Sequence, residues 1–420
     1  MTLLIHGGVL VDTDPSPYVI GDLLIEDGMI TAVGPGLPVP DGAEVIDATG
    51  RLVLPGFVDT HRHTWQAAIR SIAPDTTFPA YLERVLGTLA PRYRAEDVYA
   101  ANLAGALECL NAGITTLVDW SHIQLTPAHT EATVEALRHS GIRAVLGYCY
   151  GGPDGPEGLA SEGRRVRRAY FDGSDRLLTM AVAALGPEIA GEALALHEWR
   201  LARDLDLPVT VHMGGHGAES AERGLAFLRE NDLFGPRTTY VHPNFYTDEA
   251  LKRIADSGGT ASVSPLIEVS LGIGYPATGR ARAAGIPTGL SADAVTSAPG
   301  DMFSLMRAAY ALERARSTDF TTRDVLRMAT AEGAEVAGLG EVTGSLRVGR
   351  QADVILLRTD TLAMAPAHDP IGAVVLSADT SCVDTVLVAG RVVKRDGRLL
   401  HHDVATILAA LSESSAHVTA

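Results

Sequence analysis

A chain of 420 residues can bury a sizeable interior, and its length suits either two or three domains or one large barrel with an accessory domain. Its 46% hydrophobic and 20% charged residues are those of a globular protein, and a formal net charge of −17 argues against nucleic acid or an anionic membrane as main partner. A small neutral or cationic ligand suits that balance. The three cysteines, Cys109, Cys149 and Cys382, show no CxxC spacing and give no disulfide framework. The N-terminus does not read as a signal peptide and no apolar run reaches about 18 residues, so a cytoplasmic location and no membrane span are expected.

Residues 1–54 alternate short apolar runs with turns such as Asp27-Gly28 and Asp41-Gly42, and read as a small β unit without chemistry of its own. Residues 52–58 read as one short buried strand, whose period-2 alternation points His61 and His63 to the same side. Taken alone, a His-x-His pair is as readily two unrelated loop histidines as a metal pair. From residue 56 the texture turns to strand followed by amphipathic helix, with helices over 94–112 and 130–140. Further strands are expected over 113–119, 143–148, 177–185, 208–212, 238–242, 260–264 and 287–290. With the opening run these are eight, which predicts a (β/α)₈ TIM barrel over 55–345. The β texture returns at 346–400. It is expected to join residues 1–54 in one discontinuous β-sandwich, because neither end has enough strands to bury a core. Residues 401–420 read as a short helix and frayed tail.

In such a barrel, side chains at the carboxyl ends of the strands line the mouth. The polar ones are His61, His63, Asp119, His122, Glu188, His212, His242, Glu268 and Asp293. Neutral imidazoles with one or more carboxylates suit a divalent metal that keeps a position open for water, which then becomes a usable nucleophile.

The pattern Pro55-Gly56-Phe57-Val58-Asp59-Thr60-His61-Arg62-His63 is accompanied by histidines at 212 and 242, Ser291-Ala292-Asp293, Asp301-Met302-Phe303, Gly344-Ser345-Leu346 and Gly349-Arg350-Gln351-Ala352-Asp353. Together these resemble the amidohydrolase superfamily over nearly the whole chain. The likeness is to the branch holding cytosine deaminase, the S-adenosylhomocysteine and methylthioadenosine deaminases, guanine deaminase and the triazine chlorohydrolases. The resemblance implies that His61, His63, His212 and Asp293 bind one divalent ion, zinc or iron, and that Asp293 also accepts the proton of the attacking water. His242 is implied to hold the substrate or the water. No lysine stands at the end of the fourth strand, where binuclear members carry a bridging one, which implies one ion over two. The implied reaction is hydrolysis of a non-peptide C–N bond in a planar heterocyclic small molecule. Loss of chloride, or cleavage of an ester or lactone, at the same metal is the alternative. A non-catalytic ligand-binding homologue is the alternative of another class, against which the retained ligand set argues. Homodimers or larger homo-oligomers are also implied, with apolar segments around residues 65–90 offering a surface.

One position departs from the pattern. Deaminases of this branch carry His-x-x-Glu after the fifth strand, whereas His212-Met213-Gly214-Gly215-His216 places glycine at 215. General acid–base help contributes about 10² to 10⁴ in rate, so its loss is compensated or the reaction differs. His216 and Glu268 are the candidates for the proton shuttle. Glu219 reads instead as a first-turn acid favoured by the helix dipole. Candidate substrate contacts are Trp65, Gln66, His122, Glu188 and His242. Trp65 is a possible stacking partner for a planar ring, although aromatic residues are more often core. Residues 272–276 read as a mobile loop over the mouth, and His401-His402 as a solvated pair.

Overall fold

The computed structural model describes residues 1–13, 18–152, 155–173 and 177–420. Eight strands form a parallel sheet in chain order: β1 (Phe57–Arg62), β2 (Ile114–Gln124), β3 (Arg143–Tyr150), β4 (Leu178–Ala184), β5 (Val209–His212), β6 (Thr238–Val241), β7 (Thr260–Val263) and β8 (Thr288–Leu290). Closure comes from the end of β1 meeting the segment after β8. The Asp293 amide donates to the His61 carbonyl (2.9 Å) and the His63 amide to the Asp293 carbonyl (2.9 Å). The barrel thus closes on three of the residues singled out as metal ligands, placing them side by side through the backbone alone.

The apolar run 52–58 is two strands, not one. Arg51–Pro55 pairs antiparallel with Val354–Arg358 in a second sheet, and the chain enters the barrel only at Phe57. Gly56 is the joint, where a Cβ would overlap the Thr115 side chain. Hydropathy cannot mark this break, because residues 52–58 are buried throughout.

The second sheet has nine strands drawn from both ends of the chain. Thr2–Val11 is shared: its first half pairs in parallel with Glu44–Asp47 and its second with Arg51–Pro55. Leu3, Ile5, Leu23 and Ile25 from one end pack with Val354, Leu356 and Leu387 from the other. Neither terminal segment alone makes this core.

Arg143 on β3 ties the sheet to the barrel. Fully buried, its guanidinium bonds the Asp353 carboxylate at 2.6 and 2.9 Å and Gln351 Oε1 at 2.6 Å. Asp353 also accepts from the Ala389 amide, 2.7 Å. Removing one partner of a buried pair strands the other charge, so Asp353→Ala is expected to cost about 3–5 kcal/mol. A lowered urea midpoint, with metal content kept in the folded fraction, is the expected result.

The end of the chain is more ordered than its sequence suggests. Val404–Thr419 is one helix, capped by Asp403, docked on the helix Ala95–Asn111. Its sparse stripe, Ile407, Leu411, Ser414 and Val418, has helical spacing, with Val418 fully buried. Among the described residues no helix is long and apolar enough to cross a membrane.

Candidate metal centre

β1 carries His61 and leads straight into His63, and β5 ends on a third histidine, His212. His61 Nε2 lies 3.2 Å from His212 Nε2 and 3.4 Å from Asp293 Oδ1, while His63 Nε2 is 3.2 Å from the same oxygen. His242 Nε2 stands 3.3 Å from Asp293 Oδ2. His242 follows β6 directly and Asp293 stands three residues beyond the end of β8, and both take left-handed backbone conformations, with φ of 61° and 56°. Such conformations are uncommon for residues other than glycine and gather at functional sites.

Burial, reinforced by neighbouring imidazoles, dominates the electrostatics. It brings His61 down to about 3 despite the opposing pull of Asp293, and holds His212 well below the ordinary histidine value. Both rings are therefore neutral near pH 7. Burial raises the Asp293 carboxyl, but hydrogen bonds and charge from His242, then His61 and His63, outweigh it and hold the group well below the ordinary range. His242 is also opposed by burial, yet Asp293 and Glu268 together push it up to about 9.

The donor set fits a metal. Among the described residues, two overlapping groups, His61/His63/His212 and His61/His242/Asp293, hold possible ligand atoms within 4.8 Å of one another. Donors around one tetrahedral zinc, about 2.0–2.1 Å from it, stand about 3.3 Å apart, close to the 3.2–3.4 Å of the pairs given above. The tautomer of His63 agrees: Nδ1 meets the Trp120 carbonyl at 2.8 Å and must donate to it, leaving a lone pair on Nε2. Imidazole nitrogens and a carboxylate oxygen gathered at 3.2–3.4 Å from one another are what a cation satisfies.

Glu268 lies behind this centre. It is completely buried on the short helix Pro265–Leu271, and its Oε1 accepts from His242 Nδ1 (2.9 Å) and the Ser264 amide (2.9 Å). It therefore touches His242 and is absent from the cavity wall. A cavity opens over the centre and is lined there by His63, His122, His212, Gly215, His216, His242 and Asp293. Its remaining wall is apolar. His216 tilts against Phe78, with ring centroids 5.3 Å apart, and burial brings it down to about 4.

Three expected substrate contacts lie elsewhere. Trp65 is buried edge-on against Tyr93 and donates from Nε1 to His122 Nδ1, 3.0 Å, so it orients His122 and does not line the cavity. His122 does line it, stacked on His63 at 4.1 Å; with Nδ1 accepting, its hydrogen is on Nε2. Gln66 is buried and donates to the Tyr81 hydroxyl, 2.6 Å. Glu188, on the short turn Gly186–Ile189, points back under the β5 loop and accepts from the Gly214 amide at 3.0 and 3.1 Å; burial pushes it up to about 7. Its neighbour Ile189 reaches the cavity instead.

Asp119, buried and raised to about 6 by that burial, accepts from the Thr64 amide and braces the turn after His63. Glu219 is an exposed first-turn acid paired with Arg223. The segment after Gly272 is pinned by Asn244, which donates to the Ile273 carbonyl (3.1 Å) and accepts from the Ala277 amide (3.0 Å), so it is tied down and not free over the mouth. His401 is exposed, and the His402 ring packs 5.3 Å from His139. The sequence reading missed Phe78, Tyr81, Leu82 and Leu86, which line the cavity although they fall in the apolar stretch assigned to assembly.

A closed parallel barrel whose mouth gathers neutral imidazoles and an ionised aspartate defines a metal-dependent hydrolase. A model of the amidohydrolase family matches residues 52–393. The chain belongs to that family. It is 30% identical, over 97% of both chains, to a 5-methylthioadenosine/S-adenosylhomocysteine deaminase of Desulforudis audaxviator, and 28% identical, over 90% of both, to a 5'-deoxyadenosine deaminase of Methanothermobacter thermautotrophicus. The fold is shared with an adenosine deaminase from Xanthomonas campestris with bound zinc, at a TM-score of 0.90, 23% identity and coverage of 99% of this chain and 98% of the other. It is shared equally with a mutant atrazine chlorohydrolase from Arthrobacter aurescens complexed with zinc and atraton, at a TM-score of 0.90, 23% identity and coverage of 99% and 100%.

Proposed function

We propose that the protein removes an exocyclic amine from a planar nitrogen heterocycle by hydrolysis, with one zinc ion per chain. The observation that carries this reading is the facing of Asp293 and a His242–Glu268 pair across one cluster of neutral imidazoles. The deaminase names of the relatives support the choice of amine as leaving group.

His61, His63, His212 and Asp293 would hold the ion, which supplies Lewis acidity and makes water a nucleophile near neutral pH. Asp293, held ionised, accepts the proton of the attacking water. Its Oδ2 is 3.3 Å from His242 Nε2, so the His242 ring, held in its cationic form, gives its Nε2 proton to the departing nitrogen and is reprotonated from Asp293. Glu268 accepts the Nδ1 hydrogen of His242, fixes the ring and stabilises its cationic form. It thereby stands in, through His242, for the carboxylate missing at 215. His122, a donor through Nε2, offers a hydrogen bond to a ring nitrogen. A C–O bond forms, the C–N bond breaks and ammonia leaves.

Ammonia release from aminopurines by zinc-loaded protein, abolished by a chelator and restored by zinc, is the expected result. Release of chloride from a chlorinated heterocycle with no ammonia from any amine would overturn it. A glutamate restored at 215 is predicted to harm this site, since its Cβ would lie 3.2 Å from the Cβ of His242. Gly215→Glu is expected to lower kcat by about 10- to 100-fold through displacement of His242. Unchanged or faster turnover would show that the position is free to act.

A further inference from the structure

The cavity wall away from the centre is made by Phe78, Leu82, Leu86, Ile189, Leu271 and Ile273. Among the described residues lining the cavity there is no lysine, arginine, serine, threonine, asparagine or glutamine, and Asp293 is the only carboxylate. Among the described lining residues away from the centre, two polar groups remain: the Tyr81 hydroxyl, which accepts from Gln66 and keeps its own hydrogen, and His216, whose ring packs against Phe78 and keeps its nitrogens. Leu82 and Ile189 stay 39% and 46% exposed, apolar surfaces at the rim of the cavity. Several hydroxyls buried against such a wall would lose more water contacts than those two polar groups replace, and an anionic group would meet no lysine or arginine there.

We infer that the substrate is an uncharged amino-heterocycle bearing an alkyl or aryl substituent and no sugar, and that Phe78, Leu82 and Leu86 set this preference. The inference rests on the hydrolytic reading only for which end of the ligand faces Asp293. An apolar pocket discriminates against one added hydroxyl by about 10²-fold, so a ligand with several is expected to bind at least that much more weakly than its alkyl counterpart.

The test is calorimetric titration of the zinc-loaded protein with butyladenine against adenosine, and with butylmelamine against its dihydroxybutyl analogue. Turnover of each is followed in parallel. The expected result is a Kd at least about 100-fold lower for the butyl member of a pair. Leu86→Asn, with metal content unchanged, is expected to narrow that ratio; should it not fold, Leu82→Asn at the exposed rim makes the same test. Binding order is read whether or not ammonia is released, so failure of the hydrolytic reading shows as tight butyl binding without turnover. Equal or tighter binding of the hydroxylated members, or binding of none, overturns the inference.

Discussion

Replacing His212 with alanine is expected to remove the bound ion and turnover together. Its Nε2 stands 3.2 Å from that of His61, and burial keeps the ring neutral, the form that binds metal. Loss of an outer partner of a metal ligand costs about 10- to 100-fold in affinity or activity, and loss of the ligand itself costs more. Elemental analysis of native protein purified without chelator is expected to give one equivalent of metal per chain, and the variant close to none. Two equivalents in the native protein would contradict the single centre. A variant that keeps its ion and turns over normally would remove His212 from it.

Glu268→Gln is expected to have the next largest effect while leaving the metal in place. The substitution preserves size in a fully buried site but withdraws the charge that favours protonated His242. A fall in kcat of roughly 10² is expected, the scale of lost acid–base assistance, with KM little changed. Glu268→Asp should recover part of it. His216→Gln is expected to stay within about tenfold of the native kcat, because the ring packs on Phe78 and touches neither Asp293 nor Glu268 in the hydrogen-bonding pattern. The reverse order, with Glu268→Gln near normal and His216→Gln inactive, would make His216 the acid.

The residues that gather at the candidate centre were legible because each lies at or just beyond the end of a strand, where alternation and strand termini can be read without coordinates. Asp293 and His61 are 232 positions apart in number, yet barrel closure alone joins them through a backbone hydrogen bond. Glu268 was visible as a carboxylate near the mouth. Its contact was not, since that depends on the chain turning into a helix at Pro265 and bringing it beneath a histidine 26 residues earlier. Trp65 and Glu188 failed as substrate contacts for a similar reason: short turns, of six and four residues, rotate their side chains away from the cavity. Such elements carry too little periodicity to read. The wall from Phe78 to Leu86 was seen only as apolar, and apolar sequence alone does not say whether it faces a partner or a cavity.

Mass spectrometry of butyladenine turned over by the zinc-loaded protein in water labelled with heavy oxygen tests the central claim most directly. The account predicts a product in which one labelled oxygen replaces the amine, with ammonia released in equal amount and the reaction slowed roughly 10²-fold in Glu268→Gln and lost in His212→Ala. A product that keeps its amine, or an oxygen that does not come from solvent, would contradict it.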